Sequence, residues 1–107
     1  MKLRDLSPNE ALELVAELRA MAELPPGPNS VALNRAREIR FQLAGQTWAR
    51  EALVDKADDA YRELEILLSH RRWKAQAPDL DGLRKTIKSA CDRLRAHVPV
   101  VSSERAV

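Results

Sequence analysis

The chain predicts an all-α fold, a four-helix antiparallel bundle with one long central helix at about residues 47–75. Three observations predict it. Leu53, Ala57, Ala60, Leu64 and Leu67 step by fours and threes, and Leu80, Leu83, Ile87, Ala90 and Leu94 do the same. Such spacing keeps each set on one face of a helix, in the seam positions of a heptad. Glycine occurs only 3 times in 107 residues, and no segment alternates apolar and polar residues as a half-buried strand would. Finally, prolines stand at the borders of the periodic segments, where they end or open helices.

The first helix opens at Ser7-Pro8-Asn9-Glu10, where Ser7 caps, Pro8 suits the first helical position and Glu10 completes a capping box. It runs to about Leu24. Ala11, Leu14, Val15, Leu18, Met21 and Ala22 form its apolar face, and Pro25-Pro26 stops it. The stretch from Pro25 to Ser30 is a loop stiffened by three prolines, with Asn29 or Ser30 capping the second helix. That helix covers about Val31 to Ala44, with Ala32, Ala36, Ile39 and Leu43 inward and Arg35, Arg37 and Arg40 outward or sideways.

Gly45 has two readings. It lies past the end of helix two in a left-handed conformation with Thr47 capping helix three, or it sits within one continuous helix at a cost of about 1 kcal/mol against alanine. A break or kink is the favoured one. Helix three then spans about Thr47 to Ala75, which at 1.5 Å per residue is about 43 Å. A compact domain of this size is about 34 Å across. The far end of the helix is therefore expected to overhang, unless the bundle is elongated. Asp58 and Arg62 pair at i, i+4 along it. Pro78 and Asp79 open helix four, which ends near His97 before Pro99. Residues 1–98 form a single helical domain, and 99–107 a flexible tail.

Hydrophobic residues make up 45% and charged residues 32%, a globular balance, while aromatics at 4% leave the core to Leu, Ala, Val and Ile. A net charge of +2 is weak support for a polyanionic partner. The single cysteine, Cys91, excludes an internal disulfide, and a cytoplasmic location is expected. No window approaches the ~18 apolar residues of a membrane span.

Chemistry-bearing motifs are scarce. One Cys and two His cannot build a structural zinc centre, no Glu-x-x-His pair is present, and no Gly-rich phosphate loop occurs. No metal or cofactor is expected. Cys91 reads as a buried inert thiol and His97 as a residue at a helix C-terminus. A helix-turn-helix around Gly45 would bury Arg40, Ala44, Gln46, Glu51 and Val54. Three of these five are polar and the second helix is acidic, so that motif is rejected.

Two surfaces stand out. Ile66, His70 and Trp73 form a second apolar stripe at the overhanging end. With Leu68, and with Arg71, Arg72 and Lys74 to steer an acidic partner, they are the candidate partner-binding residues. The expected function is accordingly non-catalytic: a small protein-interaction module (adaptor, inhibitor or assembly subunit) acting by helix-face docking, with a homodimer the simplest form. The alternative is nucleic-acid binding through Arg71, Arg72, Lys74, Arg84, Lys85 and Lys88, a region of net +4 that includes Trp73 as a stacking platform. A further alternative is a small helical enzyme binding an anionic substrate. Leu64, Leu67, Leu68 and Arg71 bear a superficial likeness to part of the long helix of the helical chorismate mutases. The basic residues which that family carries on its other helices have no clear match here.

Overall fold

Ser7 starts the first helix as the capping box dictates. Its Oγ accepts from the Glu10 N–H at 3.1 Å, and its own N–H donates to Glu10 Oε1 at 2.9 Å. In the computed structural model, which describes residues 6–69, 71 and 79–99, this helix is α1, Pro8–Ala20. It tightens into a 3-10 turn at Met21–Glu23 before Leu24 turns extended. Helix α2 is Ser30–Ala44, capped by Asn29, whose Oδ1 accepts from the Ala32 N–H at 3.0 Å. Helix α3 is Glu51–Leu68, and α4 is Leu80–Ala96 with Asp79 as its cap. The described residues thus form a bundle of four α-helices and contain no strand.

Gly45 does break the chain into two helices, but at φ −88° and ψ 0° it is not left-handed. Thr47 does not cap α3. Residues 45–50 form a turn, and Arg50 occupies the cap position without a side-chain bond. The turn has a different task. Buried Gln46 accepts the Leu6 N–H on Oε1 at 2.9 Å, and the Trp48 Nε1–H donates to the Leu6 carbonyl at 3.2 Å. Both polar groups of the Leu6 peptide are thereby satisfied as Leu6 enters the core.

The long central helix is also corrected. Helix α3 has 18 residues rather than the expected span of 47–75, and Ser69 is extended at φ −115°, ψ 126°. Its last carbonyls explain the stop. The Gly27 N–H donates to the Leu67 carbonyl at 2.8 Å, and the Asn29 N–H donates to the Leu68 carbonyl at 2.9 Å. Amides of the α1–α2 loop take the places that further helical residues would fill. Gly27 has φ 116°, a conformation that L side chains rarely adopt, and so can present its N–H there. At about 27 Å, α3 needs no overhang. The remaining residues assigned to it, His70 and 72–75, lie outside the described residues, as do Pro78 and 100–107.

Helix α3 is nevertheless the spine. Leu53, Ala57, Ala60, Leu64 and Leu67 are all fully buried, as their spacing predicts, and α3 packs against both α2 and α4. Leu83, Ile87, Ala90 and Leu94 seal α4 over it, and Val15, Leu18, Ile39 and Leu43 close the other side. Each fully buried leucine or isoleucine contributes about 1.5–3 kcal/mol of burial.

Polar bridges fix the register of the helices. Arg35 Nε meets Glu17 Oε2 at 2.6 Å between α1 and α2, while Arg19 Nε meets Asp92 Oδ1 at 2.9 Å and Lys88 pairs with Glu23 between the α1 region and α4. Arg40 bonds Asp58, and Arg37 bonds Tyr61, between α2 and α3. Between the α1 region and α4, and between α2 and α3, the bonded residue numbers fall along one element as they rise along the other.

Candidate functional site

Three of the residues expected to bind a partner, Ile66, Leu68 and Arg71, are among the described residues. Leu68 is fully buried in the core, so it offers no docking area, and Ile66 is half-buried against the same core. Arg71 is exposed. His70, Arg72, Trp73 and Lys74 lie outside the described residues. The basic region is partly consumed by the fold as well. Arg84 donates to two main-chain carbonyls, Lys88 is paired with Glu23, and Lys85 is exposed.

The apolar surface that the fold leaves open lies on α2. Val31 is 80% exposed and Phe41 55%, the two large hydrophobic side chains so exposed among the described residues. The inward face of α2 is filled by Ala36, Ile39 and Leu43, which puts Val31, Asn34, Glu38, Phe41 and Gly45 on its outer side. These five step by threes and fours, so they form a second seam facing solvent. Beside Val31, an open groove of ≈ 410 Å³ is lined by Met21, Leu24 and Ala32, with the Glu17–Arg35 bridge at its edge.

A different site lies on the flank of α2 that meets α3. Tyr61 is buried, and two guanidinium groups stand over its ring. The Arg40 carbon is 5.5 Å from the ring centroid and that of Arg37 is 5.9 Å. The arginines come three residues apart on one helix, which brings both guanidinium groups to the same ring. Arg37 Nη2 donates to the Tyr61 hydroxyl at 3.1 Å, and Nη1 donates to Asn34 Oδ1 at 3.1 Å. Arg40 Nε bonds Asp58 Oδ1 at 2.5 Å. The expected Asp58–Arg62 pair does not form, because Asp58 faces α2 and Arg62 bonds Asp59 instead. Arg40, Asp58, Tyr61 and Arg62 line an open pocket of ≈ 260 Å³.

Neither the α2 stripe nor the Tyr61 site was singled out from the chain. The stripe had a signal: Val31 and Phe41 do not belong to the inward set of helix two. The Tyr61 site had none, since it depends on the register between two helices.

Cys91 is buried, and burial first, then the nearby Asp92 charge, pushes its thiol up to about 11. The thiol is thus held protonated and unreactive at neutral pH. Among the described residues, no three His, Cys, Asp or Glu side chains gather to hold a metal, and no helix is long and apolar enough to cross a membrane. No family model, curated protein or solved structure matches this chain.

Proposed function

We propose that this protein is a small, non-catalytic, helical protein-interaction module that pairs with a second copy of itself through the outer stripe of α2. The observation that carries the reading is the exposure of Val31 and Phe41 at seam positions of one helix. Exposed large apolar side chains in such a row mark an interaction surface more often than isolated ones do. The order of residues along the stripe favours a second copy. In a two-fold pairing centred at the level of Ala36, with the two helices opposed, Val31 meets the second copy's Phe41. Asn34 then meets the second copy's Glu38, an amide donor against a carboxylate. Each contact occurs twice, as an isologous interface requires. Two aromatic–aliphatic contacts make a small interface, below about 1,200 Å², so association is reversible and concentration-dependent.

Sedimentation equilibrium across a wide range of protein concentrations tests this. The parent chain is expected to shift towards the dimer mass as concentration rises, and Phe41→Glu to stay monomeric with an unchanged melting temperature. A parent chain that remains monomeric throughout, or a Phe41→Glu variant that still dimerises, refutes the pairing. The nucleic-acid alternative has less support, because Arg84 and Lys88 already have partners within the fold.

A further inference from the structure

We infer that the pocket beside Tyr61 is a binding site for a phosphoryl group, held by Arg40 and Arg62. Two guanidinium groups, Arg40 and Arg62, line the pocket with Tyr61 and the one carboxylate of Asp58. The lining therefore carries a small net positive charge, although residues 47–65 as a whole carry a net −3.

The donors are available. Arg40 bonds Asp58 through Nε, and its two terminal nitrogens make no hydrogen bond to the described residues. Arg62 bonds Asp59 through one Nη alone. Arg37 bonds neutral oxygens on Asn34 and Tyr61 and has no carboxylate partner among the described residues. Phosphate oxygens match the planar fork of a guanidinium better than a point charge does. The ring of Tyr61 fixes the Arg40 fork in place, so less of its side-chain freedom is lost when an anion arrives.

The carboxylates do not close the site. Arg40 and Asp58 are 41% and 35% exposed, and Arg62 is 68% exposed. Ion pairs this wet are weak and exchange readily, so a doubly charged oxoanion can recruit the guanidinium groups from them. The pocket of ≈ 260 Å³ has room for several water-sized groups, enough for a tetrahedral anion with part of its hydration. Asp58 then acts as a gate on affinity, since it competes for Arg40 and repels the ligand. This site is separate from the stripe of Val31 and Phe41, and does not depend on dimer formation.

The test is a ¹H–¹⁵N titration of the full chain with sodium phosphate, against sodium chloride at equal ionic strength, following the Nε–H signals of Arg40 and Arg62. Phosphate is expected to give saturable shifts that chloride does not. Arg40→Gln and Arg62→Gln should each weaken binding at least about tenfold, and Asp58→Asn should tighten it about tenfold by removing a close like charge. A second arm compares inorganic phosphate with a phosphoserine peptide. Tighter binding of the peptide assigns the phosphoryl group to a protein, and equal binding assigns it to a free or small-molecule phosphate. Equal shifts with chloride, no saturation by either ligand, or an Asp58→Asn affinity unchanged from the parent overturns the site.

Discussion

Arg84 Nε donates to the Ala22 carbonyl at 2.9 Å, joining residues 62 apart in sequence, and its Nη2 reaches the Leu24 carbonyl at 3.1 Å. The guanidinium is thus a clamp on the chain where the first helix tightens and ends. Both carbonyls belong to the end of the first helical segment, where intrahelical partners run out. Arg84→Ala is expected to lower stability by about 1.5–3 kcal/mol, the range for hydrogen bonds from a charged group. Urea denaturation at low and high salt checks it. A cost that persists at high salt separates this clamp from surface charge attraction.

Gly27 stands where a side chain is strained whatever the space around it. Gly27→Ala must either carry that strain or withdraw the N–H from the Leu67 carbonyl. The expected loss is about 1–3 kcal/mol. Chemical denaturation measures it, and amide exchange should show the Leu67–Leu68 end of α3 loosening first.

Leu68 is fully buried, which makes its role structural. Leu68→Ala is expected to cost about 2–5 kcal/mol through lost burial and a residual cavity. Thermal unfolding gives the value. Unchanged stability would return Leu68 to the surface role first assigned to it.

The Cys91 thiol should be almost silent towards thiol reagents in the native protein. With its pKa raised to about 11 from 9.0, the folded state keeps its proton where the unfolded state loses it. The resulting contribution to stability is intact below pH 9 and is lost as the pH climbs from there to about 11. Labelling with a chromogenic disulfide at pH 8 should follow the rate of unfolding and rise with added denaturant.

Acid should weaken the α1–α2 contact. The Arg35 hydrogen bond, with that charge, holds the Glu17 carboxyl below its ordinary value, partly offset by burial. A depressed carboxyl stabilises the fold above its unfolded value of 4.5 and loses that contribution as the pH falls through the folded value. The pair is about two-fifths exposed, so the contribution stays below about 1 kcal/mol. Glu17→Gln should be slightly less stable than the parent at pH 7, with the gap narrowing as the pH falls below 4.5 and through the folded value.

The buried seams were legible because a 3.6-residue repeat records which side of a helix is dry. Ser7, Glu10, Asn29 and Asp79 were legible because capping is local chemistry between residues two or three apart. The end of α3 was not. No residue near Leu68 announces it, because the stop comes from Gly27 and Asn29 on a loop some forty residues earlier. The Tyr61 site failed for the same kind of reason: Arg37 and Arg40 read as outward charges until the register of α2 on α3 brings them over the ring. Composition shows that a helix is apolar on one side. It does not show which apolar residues, such as Val31 and Phe41, the neighbouring helices will fail to cover.

The bridges between the α1 region and α4 pair Glu23 with Lys88 and Arg19 with Asp92, so the start of α1 and the end of α4 lie towards the same pole of the bundle. A circular permutant that joins those ends should not be reopened at Thr47, since a cut there parts Gln46 from Trp48, which together hold Leu6.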